Sequence, residues 1–359
     1  MNTHGMTLVE LAQELTRRAA VKRDFVVATP ELGFAADDRS ARLMIPGAGD
    51  FGLTDHAHSQ LADRLMIPKR YYDRLREEAP ALLTTNVLHW FRESPERRMV
   101  RTLDGTARAF LSDRYHRLDN EQIAEAVLPL LVDIPDAEIV SCAVTAWKLY
   151  IQVRFPRLEG DVQVGDPVQS GVTVRNGEIG NGALTLEPLI FRLRCTNGLI
   201  VGEGVEDARL RRSHLGRTVA AGEDYTVYTD ETRAAEDRAL LLKLRDSLQT
   251  LAKPALFRSL LERLRQATQG PPVVNPVMAV EELGRAYPLP QGERTSILTH
   301  LIQGGDYTRW GLLNAVTATT NAHDSYDRAI ELQELGGKLL NLPLDQWQPI
   351  ATAQEALAA

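Results

Sequence analysis

Across residues 97–115 and 138–204 the apolar side chains recur mostly at every second position, in runs cut short by Gly, Asn, Asp and Pro, whereas a helical stretch between them and both flanks carry helical spacing. Alternation of this kind puts successive side chains on opposite faces of a strand. The connections between the runs are too short for parallel crossovers, which need a dozen or more residues, so the strands must pair mainly antiparallel. The expected fold class is therefore α+β, an antiparallel-rich sheet with a β-hairpin followed by a helix, flanked by N-terminal and C-terminal helical regions. Three segments are expected: 1–95, helical and mixed; 96–228, a sheet-rich core with a basic surface; and 229–359, helical.

Local signals fill in this outline. Thr7 is placed to cap a helix whose Leu8, Leu11 and Leu15 share a face, and a strand is expected at 24–28. After a Gly-rich turn at 46–52, Thr54 opens a helix that Pro68 ends or bends, and a second helix follows from Lys69, so the pair resembles a helix-turn-helix. Runs 97–103 and 107–115 flank Asp104-Gly105, a strong hairpin signal. Asp119 or Asn120 then caps a helix with Ile123, Val127 and Leu130 on its buried stripe. Strands are expected at 138–145, 148–155, 170–176, 182–195 and 197–204. Helices are expected at 232–253 and 255–266. A Pro/Gly break at 269–276 precedes a helical cap in which Gly336-Gly337 reads as an interruption.

The formal net charge of −7 argues against a protein that coats nucleic acid with its whole surface, but the charge is segregated. Residues 89–118 carry seven arginines against four acids, while 221–237 carry six acids against Arg233 alone. No run approaches the ~18 apolar residues of a spanning helix, and the N-terminus lacks the order of a signal peptide, so no membrane is expected and the cytoplasm is the default. Cys142 and Cys195 lack metal or disulfide spacing and read as buried thiols.

The cations suggest an anionic ligand more readily than a reaction. In the hairpin region Arg97, Arg98, Arg101, Arg108, Arg114 and Arg117 accompany Tyr115, with Trp90 nearby, and could either pair with Glu93, Glu96 and Asp113 or line up for phosphates. Arg192 and Arg194, at alternate positions, would share a strand face. Arg209, Arg211, Arg212 and Arg217 surround His214, and suit phosphate or the carboxylates of Glu203, Glu206 and Asp207 equally. Asn176, Asn181 and Asn197 read as turn residues, and Trp147, Tyr150, Phe155 and Phe191 as sheet packing. His56 and His58 are two apart, which a helix does not bring to one face, so a metal pair is not expected. No GxSxG, Walker loop or HExxH is present. Enzyme activity is disfavoured, with no catalytic residue assigned and no cofactor or metal expected.

Residues 111–120 (LSDRYHRLDN), 174–184 (VRNGEIGNGAL), 192–199 (RLRCTNGL), 211–217 (RRSHLGR) and 310–323 (WGLLNAVTATTNAH) resemble, in order, the phage- and plasmid-like family numbered 932 among domains of unknown function. The resemblance covers most of 25–340 and implies a place on prokaryotic mobile elements, with no catalytic residues to transfer. Many members have Ser after Asn where this chain has Gly177. A fainter likeness, at the level of element order alone, is to the single-strand annealing proteins of phages and eukaryotes. The expectation is a mobile-element recombination protein that binds single-stranded DNA, with strand annealing as the extension of that binding and no nucleotide hydrolysis. Under that reading it would form a homo-oligomer, for which a ring is one arrangement. The alternatives are a nucleic-acid-processing enzyme and a helix-turn-helix regulator of duplex DNA.

Overall fold

The structure, a computed structural model, describes residues 5–38, 40–194, 196–202, 209–212 and 230–354. Helix α1 (Leu8–Val21) starts where Thr7 and Glu10 form a reciprocal capping box, and buries Leu11 and Leu15 as their spacing requires. Strand β1 (Arg23–Ala28) follows, then three strands that the sequence reading did not anticipate: β2 (Gly33–Ala36), β3 (Ala41–Ile45) and β4 (Gly49–Leu53). The stretch read as one Gly-rich turn is thus a tight turn running into a strand, with Gly47 and Gly49 supplying positive φ of 73° and 118°.

Helices α2 (Asp55–Arg64), α3 (Lys69–Glu78) and α4 (Pro80–Glu93) come next, α2 capped by Thr54 as expected. The hairpin of β5 (Arg97–Leu103) and β6 (Thr106–Ser112) turns at Asp104 and Gly105, both at positive φ, the type I′ signature. It does not extend the later strands. Its two free edges are taken by β1 and β4, giving a six-stranded sheet in the order β1-β5-β6-β4-β3-β2, antiparallel except for β4 beside β6. The boundary expected at 95/96 therefore cuts between strands of a single sheet. Leu61, Tyr72, Leu83, Val87 and Phe91 from the three helices pack with Phe34, Leu43, Val100 and Phe110 from its strands.

Helix α5 (Asn120–Val132), capped by Asp119, leads to a second sheet. Strands β7 (Glu138–Val144), β8 (Leu149–Asp161), β9 (Pro167–Asn176) and β10 (Leu184–Arg192) form an antiparallel meander, and both β11 (Asn197–Ile200) and β12 (Leu210–Arg212) pair with β10. The one sheet expected is thus two, because strands from the first 53 residues close the hairpin's edges.

The C-terminal helices are α6 (Asp230–Leu251), α7 (Pro254–Ala267), α8 (Pro276–Ala286), α9 (Gln291–Gly304), α10 (Arg309–Ala318), α11 (Tyr326–Asn341) and α12 (Leu344–Ala351). Leu240, Leu244 and Leu248 of α6 and Phe257, Leu260 and Leu264 of α7 join the core with Ile151, Val153 and Phe155 of β8. Gly336-Gly337 do not interrupt α11. A Cβ on Gly337 would lie 1.9 Å from the Ile200 carbonyl oxygen, and one on Gly336 2.6 Å from Thr317 Cγ2. The pair lets the helix backbone close onto β11 and α10, a gain that outweighs the helix penalty of about 1 kcal/mol per glycine.

Candidate nucleic-acid interface at the junction of the sheets

Loop 177–183, between β9 and β10, spans the gap between the sheets. Glu178 enters a site formed by Arg108, whose Nη2 donates to Glu178 Oε1 at 2.5 Å, and by the Asn120 amide, which donates to Oε2 at 3.0 Å. Lys22 Nζ lies 3.5 Å from Oε2 and also pairs with Asp119 and Glu121. The loop's carbonyls are bound as well: Gly177 O by the Tyr115 hydroxyl at 3.3 Å, Glu178 O by Arg101 Nη1 at 2.6 Å, and Ile179 O by His56 Nε2 and Gln60 Nε2, each at 2.9 Å. The Ile179 side chain is buried among Met99, Ala109, Leu111 and Tyr115.

A β-bulge aims Arg108 at this loop. Arg101 faces Ala109 and Thr102 faces Ala107, leaving Arg108 as the extra residue on β6. Arg101, fully buried, binds Asp24 at 2.8 and 3.1 Å and Asp119 at 2.5 Å. Burial alone would raise the Glu178 and Asp119 carboxyls. Arg108, Lys22 and Arg101 more than offset that for Glu178, as Arg101 and Lys22 do for Asp119, and both sit below their ordinary values. Burial likewise pulls Arg101 down, but Asp119 and Asp24 hold it above the usual arginine value. These charges form an internal seam.

The expected phosphate strip along the hairpin therefore divides. Arg98 is buried against Glu96, Arg101 and Arg108 belong to the seam, and Tyr115 is buried with its hydroxyl engaged, so none of these four presents its polar end as a surface contact. Sequence distance hides their partners: Arg101 is 77 residues from Asp24, and Arg108 is 70 from Glu178. Arg97 and Arg114 are exposed, and Arg117 is exposed with a 3.5 Å contact to Asp24.

Arg192 does not face solvent beside Arg194 as expected. It binds Asp166 at 2.6 and 2.9 Å and lies 5.6 Å from the Trp310 ring centre, while β10 ends at Arg192, leaving Arg194 exposed in the following turn. Both are at the end of β10 remote from Arg212, which pairs with Leu184. Arg209 is a structural cation, 2.7 Å from Glu187. Arg211 and Arg212 are exposed on β12; His214 and Arg217 lie outside the described residues, as do Cys195 and Glu203, Glu206 and Asp207.

Part of what remains on the surface borders loop 177–183. Segment 112–118, with Arg114 and Arg117, joins the loop through Tyr115. The β7–β8 turn joins it through Asn181 Nδ2, which donates to Trp147 O at 3.1 Å. Trp147, expected in the sheet packing, is 41% exposed, its ring edge-on to His56 at 5.3 Å. A position within the turn, between strands already filled with apolar residues, is the signal that distinguishes it from Tyr150 and Phe155, which are buried. Beside it, burial and the Arg175 charge lower the pKa of Lys148. From Tyr150 the row runs through Arg175 and Thr185 to Arg211, three strand spacings or roughly 14 Å. An aromatic face and cations thus border one sheet end, an arrangement able to hold a polyanion carrying flat rings.

His58 is buried on Tyr72, with Nδ1 2.8 Å from the hydroxyl, and His56 is held by loop 177–183; no metal-ligand cluster occurs among the described residues. Residues 47–52 have the spacing GxGxxG, but they lie on the β3–β4 hairpin and not between a strand and a helix, so they build no dinucleotide site. Cys142 is buried, its Sγ 3.1 Å from Met6 O, and burial pushes the thiol up to about 11. No described helix is long and apolar enough to cross a membrane.

The fold and seam define a two-sheet α+β protein in which a charged loop of one sheet is clasped by the hairpin of the other. The family described as a domain of unknown function (DUF932) matches residues 108–335, and the chain belongs to that family. No curated protein and no solved structure matches the chain.

Proposed function

We propose that the protein binds single-stranded DNA across the loop cluster at the junction of the sheets, as a recombination protein of a prokaryotic mobile element acting in the cytoplasm. The observation that carries this reading is that the exposed Trp147, Arg114, Arg117, Arg211 and Arg212 stand on segments that contact or adjoin loop 177–183. Exposed guanidinium groups neutralise phosphates, and an exposed indole at a rigid turn offers a stacking surface for one base. Strand annealing follows if several subunits hold a strand with its base edges outward, and that calls for a homo-oligomer. Nucleotide hydrolysis has no part in it.

The test is a salt series of binding to labelled single-stranded and duplex oligonucleotides, with light scattering on the same samples. Single-strand preference, steep salt dependence and a loss of about tenfold or more on Arg211→Glu/Arg212→Glu support the reading. Equal affinity in that variant, or no binding at low salt, overturns it. Preference for one duplex sequence would instead select the helix-turn-helix reading of α2 and α3.

A further inference from the structure

Away from the seam, a cleft of about 360 Å³ opens where α5, α6 and α7 meet β8. Its volume is within the range of small-ligand sites, roughly 300–1,000 Å³. Two local features of the sequence make it. On α6, Arg245, Leu248, Gln249 and Ala252 follow the spacing that puts helix side chains on one face, and all four line the cleft. On β8, the pairing with β9 jumps from Phe155↔Ser170 to Glu159↔Gln169, and the extra residues carry Arg157 out to the rim.

The floor is apolar, with Leu248 and Ala252 buried against Leu130 and Ile134. The rim is cationic: Arg157, Arg245 and Lys253 against the single carboxylate Asp133. Arg157 and Lys253 are exposed and make no ion pair among the described residues, and Arg245 has only its exposed neighbour Asp246 at 3.2 Å. Such a pair on the surface holds its partners weakly. Lys253 is also the N-cap of α7 and supplies no side-chain acceptor to that helix, so the first turn adds positive potential to the same rim.

We infer that this cleft binds a small amphiphilic anion, a short apolar body resting on Leu130, Ile134, Leu248 and Ala252 with one acidic headgroup held by Arg157, Arg245 and Lys253. Neither half of the site suffices alone. An inorganic anion leaves the apolar floor wet, and an uncharged body leaves the cations unpaired.

Calorimetric titration of the full chain with octyl phosphate, octanoate, n-octanol and inorganic phosphate separates these cases. Octyl phosphate and octanoate bind, while octanol and inorganic phosphate bind at least about tenfold more weakly. Arg157→Glu/Lys253→Glu weakens the two amphiphiles about tenfold or more, and Arg157→Lys/Lys253→Arg, which keeps the charge, stays within about threefold of the unaltered protein. Both side chains are exposed, so the circular dichroism spectrum is unchanged in each variant. No binding of either amphiphile, octanol binding as tightly as octyl phosphate, or an unaffected charge-reversed variant overturns the inference. The cleft shares no residue with the proposed DNA surface, so the two readings stand or fall separately.

Discussion

Arg108 Nη2 lies 2.5 Å from Glu178 Oε1, and both side chains are almost fully buried although 70 residues separate them. The pair ties the β9–β10 loop of one sheet to a bulge in the hairpin of the other. Removing one partner leaves the other charge buried and uncompensated, so Glu178→Ala should cost about 3–5 kcal/mol. Replacing both by methionine should cost less than Glu178→Ala alone. Urea unfolding at neutral pH measures both, and equal costs would mean that the seam tolerates a bare arginine.

Stability should fall as pH is lowered from about 6.5. Burial depresses His58 from 6.5 to about 4, aided by Arg76 and Lys69 and opposed by Asp55 and Asp73. The unfolded chain therefore takes up a proton near 6.5 that the folded chain refuses until about 4. The loss approaches ~1.4 kcal/mol per pH unit within that window. His58→Asn should flatten the unfolding free energy between about pH 6.5 and 5, and an unchanged slope would assign the effect to other groups. Asp119 and Glu178, both depressed, add a loss of the same sign only below about 4.3.

Two glycines of the C-terminal helices should respond oppositely to alanine. At Gly337 the new Cβ would meet the Ile200 carbonyl at 1.9 Å, so Gly337→Ala should destabilise by about 3 kcal/mol as α11 is forced off β11. Gly292, near the start of α9, has open space around it, and Gly292→Ala should stabilise by about 0.4–1 kcal/mol. Thermal unfolding of the two variants side by side is the check.

If Arg211 and Arg212 each neutralise one phosphate, replacing both by glutamine should lower the slope of log affinity against log salt by about 1.4 for single strands. Trp147→Ala should weaken binding by ~1–3 kcal/mol while leaving that slope nearly unchanged, because stacking releases no counterions. A slope that moves with Trp147 but not with the arginines would contradict the assignment.

Local chemistry made much of the fold legible. Thr7, Thr54 and Asp119 cap the helices they were expected to cap, Asp104-Gly105 turns the hairpin, and alternation located the strands from β7 to β11. Short strands with weak patterning, β2 to β4, are hidden by the glycines within and around them, and α4 gives no capping signal. For the candidate interface, the sequence located arginines but not their faces. Arg101 and Arg211 look alike as letters in basic stretches, yet one is enclosed by Asp24 and Asp119 and the other lies open on an edge strand.

By itself, then, the sequence determined the α+β class, the starts of α1, α2 and α5 and the predominance of antiparallel pairing, because each depends on backbone preferences and periodicities within about twenty residues. Only the tertiary structure decided that the strands form two sheets, that Arg98, Arg101 and Arg108 face inward while Arg97, Arg114 and Arg117 do not, and that Trp147 faces outward. An arginine's role depends on the charge brought opposite it, and here those charges arrive from Asp24, Asp119 and Glu178, in segments that local preferences cannot connect.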